Sequence, residues 1–394
     1  MRICIVCARL SFGGAERVAV SWANGFKQAG HEVMVISNLY DPVTYQLEDG
    51  ILVRNLVSHN RNKLKKWGSS FFNVRKQLKE FRPDVVIGVM ATCSFVSKVA
   101  SFGLGIPVIA TEHYSFDMEP FKKMSAIEYF CKFYLNRIYE HVTVLTEEDK
   151  RVIGNRLKHV SVMPNPLALH PVRLNPNVFN QRERIIVAAG RLDAWHNKGF
   201  DVLIKAWGKV VESRESRVER KGWRLQIAGT GSEESLEYLK NLCKENRVED
   251  SVDFLGFVSD MESLYKKASV FVLSSRYEGF GLVLIEAMSQ GCACIACDHK
   301  GKQGEIMETL PGPPCLGRMS EVQNVKEDPF FETNTGILCP PEDVEALAIS
   351  MRKMMEDDVY RESVRGNAIE RSKYYSIENT IARWEDLLKK VVHE

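Results

Sequence analysis

Between Ser274 and Met288 the chain reads Ser-Ser-Arg-Tyr-Glu-Gly-Phe-Gly-Leu-Val-Leu-Ile-Glu-Ala-Met, with carboxylates at Glu278 and Glu286 and glycines at Gly279 and Gly281 between them. The apolar run before Ser274 predicts a strand, Gly-Phe-Gly a turn, and Leu282 to Gln290 a helix with Gly291 as its C-cap. A helix N-terminus presents unpaired amides and a partial positive charge, an arrangement that suits phosphate. Glu278 then falls on the turn before the helix and Glu286 about one turn inside it. Two carboxylates so placed can accept hydrogen bonds from sugar or ribose hydroxyls while the amides between them hold a diphosphate. An ordinary strand-turn-helix whose two acids are surface residues satisfies the same spacing, and spacing alone does not choose.

Gly13 and Gly14 lie on the predicted turn between the first strand and the first helix, where missing side chains let backbone approach a ligand. A dinucleotide-binding enzyme would place G-x-G-x-x-G there and an acid at the end of the second strand. This chain has Gly-Gly-Ala-Glu16 and Ser37-Asn38, so a dehydrogenase reading loses both of its supports. His113 follows a predicted strand in Thr111-Glu-His-Tyr114, where a lone histidine is commonly structural. Cys4-x-x-Cys7 and Cys292-x-Cys294-x-x-Cys297 have spacings that suggest metal. Both sit in apolar runs that read as buried strands, whose successive side chains point to opposite faces. They read as structural thiols.

The elements that must carry these residues alternate short apolar runs with longer amphipathic ones, the pattern of a parallel sheet wrapped by helices. Strands are expected at 2–7, 31–37, 84–89, 107–111 and 141–145, with 160–167 closing the first half. The pattern restarts with a strand at 184–190, a helix from Phe200 to about Val211, and strands at 225–229, 252–256, 270–274 and 292–296. Pro164, Pro166 and the polar stretch 175–182 mark a linker. Two doubly wound α/β halves place a ligand in the cleft between them, at the C-terminal ends of the strands. From Glu308 to Thr335 periodicity is lost and Pro311, Pro313 and Pro314 collect, which predicts an excursion outside the core. A last helix, Glu378 to Val392, gathers Trp384, Leu387 and Leu388 on one face and must pack on something.

At 394 residues the chain suits two domains, and 45% apolar with 26% charged residues is the composition of a soluble globular protein. The net charge of +2 hides an asymmetry: residues 1–180 carry 23 Lys and Arg against 15 Asp and Glu, a net of +8, and the remainder 30 against 36, a net of −6. Arg61, Lys63, Lys65, Lys66, Arg75, Lys76, Lys79, Lys122 and Lys123 belong to that surplus, which is either a solvated face or a surface for an anionic partner such as a phospholipid leaflet. The N-terminus shows no secretory pattern and no apolar stretch approaches the roughly 18–20 residues of a spanning helix. Ten scattered cysteines suit a reducing cytoplasm.

The 278–286 stretch resembles the Glu-x7-Glu signature of the family-4 retaining glycosyltransferases, which have the GT-B fold of two Rossmann-like domains facing across a cleft. Phe12-Gly-Gly-Ala-Glu16 is similar to that family's N-terminal glycine loop, and Gly190-Arg191-Leu through Lys198-Gly199 to its Gly-Arg-Leu…Lys-Gly element. Glu112-His113, Pro164-Asn-Pro166, Ile227-Ala-Gly-Thr-Gly231 and Phe254-Leu-Gly256 fall in the expected order. Single matches are weak, and the ordered set is specific.

The resemblance implies an acceptor-side domain at 1–172, a nucleotide-sugar-binding domain at 173–375, and a C-terminal helix, 376–394, packing back on the first domain. It implies that Arg191 and Lys198 neutralise the leaving diphosphate without a metal, that Glu286 binds ribose hydroxyls, and that Glu278 binds a hydroxyl of the transferred sugar. The same resemblance puts the turn Gly279-Phe280-Gly281 and the backbone of Leu282 and Val283 against the β-phosphate, Gly13 and Gly14 near phosphate and acceptor, and His113 near the anomeric carbon. The expected activity moves a hexose or N-acetylhexosamine from a nucleotide-sugar, UDP- ahead of GDP-, to a glycan or lipid-linked acceptor in bacterial surface polysaccharide biosynthesis. The expected place is the cytoplasm, with a peripheral contact on the inner face of the membrane through the basic first domain. No metal or other cofactor and no nucleic acid is expected. A non-catalytic sugar-nucleotide-binding protein of the same fold, and the less favoured NAD(P)-dependent dehydrogenase, are the alternatives. The family's short turn before its next strand is replaced here by Asp298 to Ile306 and the proline-rich excursion, so sugar selectivity is not legible in that region. Glu305 reads equally as a sugar contact and as a surface residue.

Overall fold

The computed structural model describes residues 1–11, 13–57, 63–173, 182–212, 222–308 and 329–393, without the side chains of 63–67. They form two compact units, Met1–Ala168 with Tyr375–Glu394, and Leu169–Tyr374.

The first unit contains strands β1 (Arg2–Val6), β2 (Glu32–Ser37), β3 (Leu52–Asn55), β4 (Val85–Val89), β5 (Val108–Thr111), β6 (His141–Val144) and β7 (Val160–Val162). Its helices are α1 (Gly14–Gln28), α2 (Lys63–Phe81), α3 (Met90–Ser101), α4 (Ala126–Phe133) and α5 (Glu147–Ile153). All seven strands pair in parallel in the order β3-β2-β1-β4-β5-β6-β7. β1 and β4 are buried almost throughout, as strands covered by helices on both faces must be. The edge strand β3 was not anticipated: it is half exposed, carries Arg54 and Asn55, and has no continuous apolar run.

The second unit repeats the scheme with β8 (Glu183–Ala189), β9 (Arg224–Ala228), β10 (Val252–Gly256), β11 (Ala268–Leu273), β12 (Ala293–Cys297), β13 (Phe331–Thr333) and β14 (Gly336–Cys339). Its order is β10-β9-β8-β11-β12-β14-β13, with β13 alone antiparallel. The helices are α6 (Trp195–Lys198), α7 (Phe200–Glu212), α8 (Glu233–Glu245), α9 (Met261–Lys267), α10 (Leu282–Ser289), α11 (Lys302–Met307), α12 (Val344–Glu356) and α13 (Asp358–Ser372).

The final helix, α14 (Ile377–His393), belongs to the first unit and lies on α1. Trp384 meets Trp22 edge-on at 5.0 Å, and His31 Nε2 lies 2.9 Å from Glu385 Oε1. Gly25 admits the helix, because a Cβ there would stand 2.6 Å from Ile381 Cγ1 and 2.9 Å from Ile377 Cγ1.

Three expectations are corrected. The boundary falls after residue 168, not 172, because His170 O accepts from Gln290 Nε2 and Val172 N donates to Ser289 O, both at 2.9 Å, tying this segment to the second unit. Tyr375 belongs to the first unit, where its carbonyl accepts from Leu167 N at 2.6 Å. The end of the proline-rich stretch is not outside the core: Phe330 and Thr335 are buried and 331–333 form β13, while 309–328 lie outside the described residues. Arg61 and the side chains of Lys63, Lys65 and Lys66 also lie outside them.

The nine described cysteines are free thiols. Burial pushes the Cys7 thiol up to about 12, so it stays protonated near neutrality. Among the described residues no three His, Cys, Asp or Glu side chains are grouped to hold a metal ion, and no helix is long and apolar enough to cross a membrane.

Candidate active site

In the second unit the strand order turns at β8, which has β9 on one side and β11 on the other. Open α/β sheets bind ligands beyond the carboxyl ends of their strands at such a point. The loops leaving β8 and β11 are therefore neighbours, and they are joined tightly. Arg276 N donates to Asn197 O at 2.8 Å, and Ser274 Oγ donates to Lys198 O at 2.8 Å. Gly199 takes a left-handed conformation (φ 63°), and a Cβ there would lie 1.9 Å from Ser274 O. Only glycine lets the loops touch at that point.

This junction brings Lys198 to Glu278 across eighty residues of sequence. Lys198 Nζ donates to Glu278 Oε1 at 2.6 Å, and Ser275 Oγ donates to the same oxygen at 2.7 Å. The lysine stem passes over Gly190, where a Cβ would stand 3.1 Å from Lys198 Cδ. Both charged groups are partly buried, so the pair is screened less than a surface pair. Beyond Glu278 come the partly buried Gly279 and the buried Phe280, and then Gly281 (φ 93°) turns the chain into α10. No side chain caps that helix, and its first amides, those of Leu282 and Val283, have no intrahelical acceptor. Glu286 is buried one turn inside α10. Arg191, on the loop after β8, is exposed, and its guanidinium has no hydrogen bond or ion pair among the described residues.

Two residues that spacing did not reveal hold this corner together. Arg276 is buried and grips Asp201 with both Nη atoms, at 2.9 and 2.8 Å, while its Nε donates to Glu342 Oε1 at 2.7 Å. Its Nη1 also donates to His196 O. The hydrogen bonds that Arg276 donates to Asp201 drive the arginine pKa up. Burial works to raise the Asp201 pKa, but the Arg276 hydrogen bonds and charge outweigh it and hold the carboxyl below the usual carboxylate range. The one available sequence signal was an arginine at the end of an apolar strand; its partner 75 residues away was not readable.

In the first unit, the turn after β1 is packed by a carboxylate of its own helix. Gly13 is extended (φ 165°), and the space its Cβ would fill is taken by Glu16, whose Oε2 would be 2.0 Å away. Glu16 is fixed by Arg9 Nε at 3.2 Å. The missing side chain makes room for an internal carboxylate. Gly14 is exposed and starts α1.

His113 stands on the loop after β5 with its ring 5.7 Å from that of Trp22. Its Nε2 lies 3.1 Å from Thr111 Oγ1, whose hydroxyl donates to Gly88 O at 3.2 Å. Nδ1 is buried without a hydrogen-bond partner. Burial pulls the His113 pKa down to about 4, opposed by the Asn165 side chain, so the ring is neutral near pH 7. The neighbouring Glu112 is buried and bonded by Asn136 Nδ2 at 2.9 Å; burial raises its pKa against the lowering effects of Lys132 and Asn136. It supports the loop. Lys198, Glu278, Glu286 and the 279–283 turn thus share one end of the second sheet, while Gly13, Gly14 and His113 belong to the other unit.

Two family models match, glycosyltransferase family 4 over residues 12–201 and glycosyl transferases group 1 over residues 183–357. The chain belongs to the family-4, group 1 glycosyltransferases. Related sequences run its full length. An uncharacterized glycosyltransferase of Haemophilus influenzae is 28% identical, covering 96% of this chain and 97% of the relative. A Campylobacter jejuni enzyme named as an α-1,4-N-acetyl-D-galactosaminyltransferase acting on a GalNAc-containing diphospho-undecaprenol glycan is also 28% identical, over 99% of both chains. Among solved structures, sucrose-phosphate synthase from Thermosynechococcus elongatus matches with a TM-score of 0.77 at 18% identity, over 99% and 98% of the two chains. Anabaena HepE in complex with UDP and glucose matches at 0.74 and 17%, over 99% and 100%. The fold of this glycosyltransferase is GT-B.

Proposed function

We propose that this glycosyltransferase retains anomeric configuration and moves a hexose or N-acetylhexosamine from a UDP-sugar to a glycan or lipid-linked acceptor of a bacterial surface polysaccharide. The observation that carries the donor site is the Lys198–Glu278 pair beside the uncapped N-terminus of α10. A diphosphate fits where a cation and free amides converge, because both interactions strengthen as charge develops on the leaving group. Lys198 and the exposed Arg191 supply positive charge to it in place of a metal. Glu278 holds a sugar hydroxyl, Glu286 the ribose, and the turn Gly279-Phe280-Gly281 brings the amides of Leu282 and Val283 to the β-phosphate.

UDP is favoured because solved relatives of the same fold hold it. The lipid-linked acceptor is suggested by the undecaprenol substrate in the Campylobacter enzyme's name. On this reading the enzyme works on the cytoplasmic side of the membrane. No motif carboxylate is placed as a covalent nucleophile, so the reaction follows a front-face path. The bond from the anomeric carbon to the leaving phosphate breaks as the acceptor oxygen bonds the same face, and a phosphate oxygen takes the acceptor proton. His113, neutral at working pH, is assigned the role of a hydrogen-bond donor in the reaction. Gly14 and the turn after β1 serve the acceptor side.

The intact set Arg191, Lys198, Glu278 and Glu286 favours catalysis over a sugar-nucleotide-binding protein without activity. Thermal-shift titration with UDP-, GDP- and ADP-sugars tests the donor. A ligand at a hundred times its Kd stabilises the fold by about 2.7 kcal/mol. A shift with a GDP-sugar alone would replace the UDP assignment, and no shift with any would remove the donor site. An inverted product anomer, or isolation of a covalent glycosyl-enzyme, would overturn the mechanism.

A further inference from the structure

The loop after β8 carries both donor cations, and its two halves are mounted on different neighbours. The Lys198 half is fixed to the β11 side, where the carbonyls of His196, Asn197 and Lys198 accept from Arg276 and Ser274. The Arg191 half lies on the β9 side instead. Leu192 N donates to Thr230 O at 2.8 Å, and a Cβ on Gly231 would stand 2.7 Å from Leu192 Cβ and 2.8 Å from Asp193 N. Asp193 Oδ1 accepts from Ser232 N at 2.7 Å and from Ser235 Oγ at 3.2 Å, which ties the loop to the start of α8. The Trp195 ring then lies against Tyr238 of the same helix, with centroids 4.3 Å apart and planes at 30°.

Charge alone would select another arrangement. Asp193 is two residues from Arg191, both are exposed, and an ion pair between them would cancel the arginine charge. The carboxylate is turned to α8 instead, and Arg191 has no ion pair among the described residues. Hydrogen bonds from Ser232 hold the Asp193 carboxyl below the usual carboxylate range, with the nearby Arg191 charge as a smaller contribution. A carboxylate that merely stood beside a diphosphate site would weaken it by repulsion, so this one needs a different reason to be there.

We propose that Asp193 and Trp195 are positioning residues for the nucleotide-sugar: they dock the first half of the loop on α8, so that Arg191 is held for the diphosphate and is not drawn into a pair with Asp193. This assignment rests on the donor reading given above and gives Arg191 a mount separate from that of Lys198. The two cations are then set independently, Arg191 through α8 and Lys198 through the β11 loop. Loss of the Asp193 anchor lets the loop swing without disturbing the Lys198–Glu278 contact.

The test is calorimetric titration of the full chain with UDP, GDP and ADP, read on the nucleotide that binds wild type most tightly. Asp193→Ala is expected to weaken that binding about tenfold, the scale of a misplaced binding group. Asp193→Asn, whose Oδ1 can still accept from Ser232 N, should recover most of the loss. Simple repulsion predicts the opposite sign, tighter binding in both variants. Trp195→Ala should weaken binding as Asp193→Ala does, and Trp195→Phe, which keeps a ring on Tyr238, should stay near wild type. Adding Asp193→Ala to Arg191→Ala should cost nothing further, whereas adding it to Lys198→Ala should cost the full factor. Melting temperatures without nucleotide should match wild type throughout, because Asp193 is exposed. Tighter or unchanged binding in Asp193→Ala, or an equal loss in both cation-deleted backgrounds, would overturn the assignment and leave the donor site standing. Absence of nucleotide binding by wild type would remove the donor site, and this assignment with it.

Discussion

Arg276 and Asp201 form a two-pronged ion pair, Nη1 to Oδ1 at 2.9 Å and Nη2 to Oδ2 at 2.8 Å, with both side chains buried. Asp201 is in the first turn of α7, and Arg276 is two residues before Glu278. The pair therefore sets the spacing between the loop that carries Lys198 and the turn that carries Glu278. Lysine cannot reproduce the fork geometry. Arg276→Lys is expected to fold and to lose about tenfold in kcat/KM, mostly through KM for the donor. Asp201→Ala, which leaves a buried guanidinium without its main partner, is expected to cost about 3–5 kcal/mol in chemical denaturation. Wild-type kinetics in Arg276→Lys would show that the clamp only stabilises the fold.

A second expectation concerns the Lys198–Glu278 contact itself. The lysine is held by a carboxylate in this structure, and an incoming diphosphate offers it a competing partner of higher charge. Lys198→Ala should abolish detectable transfer while leaving far-UV circular dichroism and chemical-denaturation midpoint close to wild type. Glu286→Ala should do the same by loss of donor affinity. Full activity in either variant would break the site assignment. Glu278→Gln should keep Ser275 bonded and lower kcat by about a hundredfold, the scale of losing one positioned polar group.

Much of this corner was legible in sequence, for a physical reason. Parallel strands buried on both faces leave continuous apolar runs, so β8 to β12 were placed within one or two residues, and the glycines of the 278–286 turn announced a helix start. β13 was missed because its three residues follow a stretch without periodicity. Adjacency of Lys198 and Glu278 could not come from periodicity; it depends on β8 pairing with β11, and only the ordered motifs implied it. Arg276 and Asp201 belong to no motif that was read, and a buried ion pair between distant residues has no local signature. The Glu16 carboxylate beside Gly13 was not legible for a related reason: glycine shows that space is needed, not what fills it.

His113 gives a pH expectation with a definite sign. Its folded pKa is depressed to about 4 by burial, below the ordinary histidine value of about 6.5. The unfolded chain therefore binds more protons between those values, and stability rises with pH across that window. The contribution is fully present above about pH 6.5 and is lost as pH falls toward 4, at up to about 1.4 kcal/mol per pH unit. Chemical denaturation of His113→Gln at pH 4.5, 5.5 and 7.5 should show a flatter dependence than wild type. An identical slope in both proteins would mean that the ring is solvated.

Gly25 supplies the last expectation, on the helix that closes the first unit. In an exposed helix, glycine to alanine stabilises by about 1 kcal/mol. Here the added Cβ would stand 2.6 Å from Ile381 Cγ1 and 2.9 Å from Ile377 Cγ1. α1 and α14 would have to separate, weakening the contact of Trp22 with Trp384. Overpacking outweighs propensity, and Gly25→Ala is expected to destabilise by about 1–3 kcal/mol. Ile381→Ala opens a cavity and destabilises alone, but in the double variant the two changes compensate, giving less loss than their sum. Trp22 also lies against His113, so donor turnover should fall with Gly25→Ala and recover in the double variant. Strict additivity in denaturation would show that the helices do not meet at Gly25.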